Sequence, residues 1–136
     1  MTYFPTEERD GTVIITLTNG ERNTLNPDLL EEGAATLQRL ATDPPKAGIV
    51  LTGAGEHFTC GMDTKIAASL DEAGQKRAVA GINDFAAALH RLPCAVVGEV
   101  KGNAIGAGGI FWITGWTRCG GGGSPCPRIC SIRPNP

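Results

Sequence analysis

Glu56-His-Phe-Thr-Cys-Gly-Met-Asp63 and, about forty residues later, Gly102-Asn-Ala-Ile-Gly-Ala-Gly-Gly109 are two tight turns of small residues, each following an apolar, strand-like run. Turns of this composition let backbone approach a ligand closely, so together they are able to aim two backbone N–H groups at one carbonyl oxygen. The runs that flank them define the fold. Upstream of the first turn lies Ala47-Gly-Ile-Val-Leu-Thr52, and upstream of the second lies Cys94-Ala-Val-Val-Gly-Glu-Val100, both read as strands. Thr12-Val-Ile-Ile-Thr-Leu-Thr18 is a third β-branched strand, closed by the turn pair Asn19-Gly20.

Helices fill the intervals. Asn26-Pro27-Asp28 supplies an N-cap, a proline at the first helical position and an acid in the first turn. Leu30, Ala34, Leu37 and Ala41 then recur at helical spacing until Asp43-Pro-Pro45. Ser69-Leu-Asp-Glu72 is read as the cap of a long helix reaching about Arg91, with Ala78, Ile82, Phe85 and Leu89 on one face. The order strand, helix, strand, helix, strand predicts an α/β fold with a largely parallel sheet, whose ligand sites lie in loops at the strand ends. Both glycine turns occupy such loops.

The chain of 136 residues carries 14 acidic and 12 basic side chains, enough length for one domain with one core. All the acids lie at or before Glu99, whereas Arg118, Arg128 and Arg133 stand in the last segment. An acidic body without a basic stripe argues against nucleic acid as a partner. No signal peptide or membrane span of the required ~20 apolar residues is evident, so a soluble cytoplasmic protein is expected. No metal is expected either: Cys119, Cys126 and Cys130 lack a Cys-x2-Cys pair, and His57 and His90 lie far upstream.

From Gly115 the pattern collapses. Residues 115–136 hold five Gly, four Pro, three Cys and three Arg with no Asp, Glu or Lys. The expected organisation is therefore a domain over 1–114 and a Gly/Pro/Cys-rich tail over 115–136, read as disordered or as out-of-frame translation of GC-rich codons.

Six stretches now carry a resemblance: Val13-Ile-Ile-Thr-Leu17, Arg22-Asn-Thr-Leu-Asn-Pro-Asp-Leu-Leu30, Ile49-Val-Leu-Thr-Gly-Ala-Gly55, Phe58-Thr-Cys-Gly-Met-Asp63, Leu92-Pro-Cys-Ala-Val-Val97 and Gly102-Asn-Ala-Ile-Gly-Ala-Gly-Gly109. In this order they resemble the first half of a crotonase, the enoyl-CoA hydratase/isomerase superfamily, over residues 12 to about 111. The resemblance implies a crotonase-like spiral of ββα units, incomplete here. It also implies an acyl-CoA thioester as substrate, with coenzyme A part of that substrate and no separate cofactor. The thioester carbonyl would sit in an oxyanion hole of two backbone N–H donors, one matching Met62 and the other Ala107, with Gly108 the nearest alternative. Loss of one such donor costs on the order of 3 kcal/mol of transition-state stabilisation. Asp63, Thr64 and Lys65 would line the coenzyme A channel, with Lys65 meeting phosphate, and Arg22 and Thr24 would neighbour the nucleotide end.

The departures from the pattern are specific. Ile110 stands where hydratases of the family carry the first of two carboxylates, which disfavours classical hydration. The match fades between Phe111 and Arg118, so a truncated or frame-shifted copy is expected, without the segments that build the family's trimers and hexamers. A non-catalytic acyl-CoA-binding fragment and a pseudogene product are the alternatives. Two rival sites stand beside this one: a thiol nucleophile built from Cys60, His57 and Asp63, and a dinucleotide-phosphate loop at 102–109. The second lacks the acid expected about twenty residues on. Glu99 and Lys101 share one face by alternation, either as an ion pair or as solvated charges.

Overall fold

The computed structural model describes residues 2–107. The tail, its three cysteines and the boundary at residue 114, together with Gly108 and Ile110, lie outside the described residues. Four strands, β1 (Thr6–Arg9), β2 (Thr12–Leu17), β3 (Gly48–Gly53) and β4 (Val96–Glu99), form one sheet in the order β1-β2-β3-β4. β2, β3 and β4 run parallel, in the registers Ile15↔Leu51 and Leu51↔Gly98, while β1 is antiparallel to β2. The crossovers carry α1 (Pro27–Thr42) between β2 and β3, and a short α2 (Thr64–Ser69) followed by α3 (Glu72–Arg91) between β3 and β4. This is the α/β arrangement expected. The first unit, β1-β2-α1, is a ββα turn. After β3, single parallel bridges at Thr59↔Ala104 and Leu25↔Met62 hold the following segment against its neighbours.

β1 is absent from the sequence reading because all four of its residues are exposed and polar, which leaves no period-two signal. Its turn was nevertheless written in the chain. Asp10 (φ 52°) and Gly11 (φ 79°) form the two-residue left-handed connection for which Asp-Gly is a strong hairpin signature. A second correction concerns the long helix. Ser69 does not cap it: its hydroxyl donates to the Ile66 carbonyl at 2.8 Å, at the end of α2, and the N-cap of α3 is Asp71, which accepts from Gly74 N–H at 2.8 Å. α2 itself had no periodic signal, having only six residues and none of them buried.

The α1 cap is as read, with Asn26 Oδ1 accepting from Leu29 N–H at 2.8 Å ahead of Pro27. Strand alternation turns Val13, Ile15 and Leu17 inward with Ile49, Leu51 and Val96. Onto this face pack Leu29, Leu30 and Leu37 from α1 and Phe85, Ala88 and Leu89 from α3, joined by Phe4 and Phe58. Fully burying such side chains contributes about 1.5–3 kcal/mol each. Glu99 and Lys101 are both exposed and form no ion pair with each other among the described residues, and β4 ends at Glu99.

Between the two long helices, Gly33 makes room for aromatic rings. A Cβ there would collide with the Phe85 ring and lie 2.7 Å from Cε2 of Phe4, whose ring stands 5.6 Å from that of Phe85. The neighbouring Glu32 ties the amino-terminal segment to α1. Its carboxylate accepts from the Thr2 hydroxyl, from Tyr3 N–H at 2.8 Å and from Phe4 N–H at 3.2 Å. Burial alone pushes the Glu32 carboxyl upward, but the bonds from Thr2, Phe4 and Tyr3 outweigh it and hold the group below the ordinary carboxylate range. No helix among the described residues is long and apolar enough to cross a membrane.

Two stability measurements follow from this packing. Gly33→Ala gains about 1 kcal/mol of helix propensity but overpacks two rings, and a net loss of about 1–2 kcal/mol is expected in urea denaturation. Because the folded-state pKa of Glu32 is depressed, its contribution is present above the unfolded value and is lost as pH falls through the folded one. Glu32→Gln is therefore expected to cost about 1 kcal/mol at neutral pH, with the difference from wild type closing as pH falls below the ordinary carboxylate range.

Candidate functional site

Three loops meet at the carboxyl ends of the parallel strands: residues 18–26 after β2, 54–63 after β3 and 100–107 after β4. The middle loop is bonded on both sides. Towards the first loop, Cys60 N–H donates to Arg22 O (2.9 Å), Leu25 N–H to Gly61 O (2.8 Å) and Asp63 N–H to Leu25 O (3.0 Å). Towards the third, Phe58 N–H donates to Lys101 O (2.8 Å), Thr59 N–H to Asn103 O (3.0 Å) and Ile105 N–H to Thr59 O (3.1 Å). The two glycine turns singled out by the sequence are thus laid side by side. Gly61 permits the approach: it has φ 81°, and a Cβ on it would sit 2.9 Å from the Ile105 carbonyl oxygen.

One side chain organises this junction, and no local sequence signal marks its role. Asn23 is fully buried at φ 47°, a left-handed conformation that asparagine tolerates better than most residues. Its Nδ2 donates to the carbonyls of Ala54 (2.7 Å) and His57 (2.9 Å), and its Oδ1 accepts from Asn19 N–H (3.0 Å). Its own carbonyl accepts from the buried Thr59 hydroxyl (2.6 Å), which in turn accepts from Gly61 N–H (3.1 Å). The turn composition Asn19-Gly-Glu-Arg-Asn23 was visible, but partners more than thirty residues away were not.

The expected site residues fall as follows. Met62 is half-buried and sits between two amides that are already engaged, those of Gly61 and Asp63. In a parallel bridge the partner residue bonds to the flanking positions, so with Leu25 paired to Gly61 and Asp63 the Met62 N–H points away from the first loop. It has no acceptor among the described residues. Ala107 is 9% exposed, and its N–H likewise has no acceptor among them. Asp63 is the N-cap of α2, its Oδ1 accepting from Lys65 N–H (2.9 Å) and Ile66 N–H (3.2 Å), which leaves Thr64 and Lys65 exposed on the first turn. Arg22 is exposed beside the same segment, and Thr24, half-buried, gives its carbonyl to Asn19 Nδ2 at 2.6 Å.

The rival thiol site does not assemble. Cys60 Sγ receives Asn103 Nδ2 at 3.7 Å, His57 Nδ1 accepts from Asn103 N–H at 3.2 Å, and the Asp63 carboxylate is spent on its cap. No group of three or more His, Cys, Asp or Glu side chains among the described residues is placed to hold a metal ion. A cleft of about 250 Å³ between α1 and α3, bordered by Glu31, Gln38, Arg77 and Asp84, lies on the helical side, apart from the loops.

Known proteins share this arrangement. The sequence model of the enoyl-CoA hydratase/isomerase family matches residues 7–115. A probable enoyl-CoA hydratase of Mycobacterium leprae is 32% identical over 113 residues, covering 77% of this chain and 37% of the relative. The peroxisomal enoyl-CoA delta isomerase 1 of Arabidopsis thaliana is 30% identical over 110 residues, covering 77% of this chain and 44% of the relative. Among solved structures, an enoyl-CoA hydratase from Bacillus anthracis superposes with a TM-score of 0.77 at 28% identity, over 83% of this chain and 45% of that one. The chain therefore spans less than half the length of these relatives. A family model covering most of the chain, and a sheet and helices that superpose on a solved member, lead to one assignment: the chain belongs to the enoyl-CoA hydratase/isomerase family, with the crotonase fold.

Proposed function

We propose that the protein binds an acyl-CoA thioester and holds its carbonyl oxygen between the N–H groups of Met62 and Ala107. The observation that carries this reading is the Met62 N–H, which has no acceptor among the described residues, lies between two amides that are both engaged, and is turned away from the first loop. A backbone donor left open in a strand-end loop is poised for charge that develops on a ligand oxygen, since it needs no reorganisation when that charge appears. The neighbouring Lys65, exposed at the start of α2, offers an ammonium to a coenzyme A phosphate. Asp63 serves this reading by capping α2 and fixing where Lys65 emerges. Ile110, which cannot transfer a proton, favours a second reading in which the thioester is bound and polarised without hydration.

Isothermal titration of the full chain with crotonyl-CoA and with free coenzyme A tests the proposal. Saturable binding that depends on the thioester is expected, and a flat titration with both would overturn it. Ala107→Pro removes one N–H and is expected to weaken thioester binding up to about 10-fold, while any turnover through an enolate falls about 100-fold or more. Lys65→Ala is expected to weaken both ligands by a few-fold and to flatten the dependence of binding on salt, the mark of a lost phosphate contact.

A further inference from the structure

The surroundings of the two proposed donors divide by polarity. Arg22, Thr64 and Lys65, all exposed, stand on the side of the first loop and α2. On the other side the third loop runs Ala104-Ile-Gly-Ala107, without a polar side chain. Ile105 is the one large residue of that stretch. It takes no part in the hydrophobic core and leaves 51% of its surface open, although burying an isoleucine is favourable. Its backbone is fixed, because Ile105 N–H donates to Thr59 O at 3.1 Å and Thr59 N–H donates to Asn103 O at 3.0 Å. A Cβ built on Gly61 would lie 3.8 Å from Ile105 Cγ2, so the isoleucine side chain lies against the position directly before Met62. Ile105 itself precedes Ala107 by two residues, which sets its side chain beside both donors.

We infer that Ile105 is a specificity-determining residue, walling the acyl side of the cradle so that thioesters unbranched at C2 are accepted and those carrying a substituent at C2 are disfavoured. The inference rests on the acyl-CoA reading above. With the carbonyl oxygen between the Met62 and Ala107 N–H groups and the coenzyme A portion directed to Lys65, the sulfur lies toward the first loop and α2. The acyl carbons then lie toward the third loop, where Ile105 stands. C2 is bonded to the carbonyl carbon, so of the acyl carbons beyond the carbonyl it is held nearest the donors and has the least freedom to move aside. Ile105 does not move aside either: a β-branched side chain is stiff at χ1, and the bonds that bracket Ala104 keep the loop from yielding. A methyl group on C2 therefore displaces the isoleucine from its rotamer or draws the carbonyl oxygen off its donors. Carbons beyond C3 turn away by bond rotation, and the selection falls on branching rather than on chain length.

The test compares crotonyl-CoA with 2-methylcrotonyl-CoA by isothermal titration of the full chain and of two variants, Ile105→Ala and Ile105→Val. Wild type is expected to bind the unbranched thioester about 10-fold or more tightly than the branched one. Ile105→Ala opens the wall and is expected to bring that ratio to within about 3-fold, with Ile105→Val between the two. The ratio is the decisive quantity, because a loss of general apolar contact or of stability weakens both ligands alike and leaves it where it was. Equal binding of the two thioesters by wild type overturns the inference without recourse to any variant, and so does a wild-type ratio that persists in both variants. Crotonyl-CoA binding with either of those results sinks the role of Ile105 and leaves the acyl-CoA reading standing. A flat wild-type titration with both thioesters sinks the acyl-CoA reading and this inference with it.

Discussion

The loops at the carboxyl end of the sheet depend on a buried asparagine amide. Asn23 has no exposure, yet both of its Nδ2 donors and its Oδ1 acceptor are engaged with backbone groups of segments that would otherwise have no means of turning so sharply. A buried amide with one unpaired group costs about 1–3 kcal/mol, so the network is stable only with all its partners in place at once. That all-or-none character fixes the path of the loop after β3. With Ala54 O and His57 O both drawn to one side chain, the chain must double back and present residues 58–63 edge-on to the loops on either side.

Much of this was legible in the chain. The three parallel strands announced themselves through β-branched runs, and α1 through its Asn-Pro cap, because these signals are local and the forces behind them act within a few residues. The glycine turns were legible for the same reason. The hydrogen bonds that decide how the turns lie against one another were not, since they join Asn23 to Ala54, Thr59 to Asn23 and His57 to Asn103 across large separations. Nor was β1, a strand without a buried residue, whose identity rests on pairing and on Asp10-Gly11 rather than on any apolar pattern. Ser69 shows the opposite case. Its spacing to Glu72 matches a capping box, but Asp71 stands directly before the first helical residue and carries the charged acceptor.

The geometry of the strand-end loops is set at the backbone. Leu25 uses both of its main-chain groups on residues flanking Met62, which is what leaves the Met62 amide facing outward. The side chains around it are constrained chiefly by size and by capping, as at Gly61 and Asp63, and not by acid–base chemistry. Relatives named for hydration and for isomerisation both match this chain, so one family carries proteins named for different reactions.

The separations of those loop contacts also set an order of events during folding. The Asp10–Gly11 hairpin closes between adjacent residues and can form early, whereas the Asn23 bonds span 31 and 34 positions and the His57 bond spans 46. Each waits for a parallel crossover to be laid down, and contacts of such separation repay their loop-closure entropy late. The parallel pairings Val13↔Ile49 and Ile49↔Val96 close over separations as large as those of the loop bonds, so the sheet and the loops at its carboxyl end are assembled together, each crossover bringing a strand and a wall of the cradle into place at once.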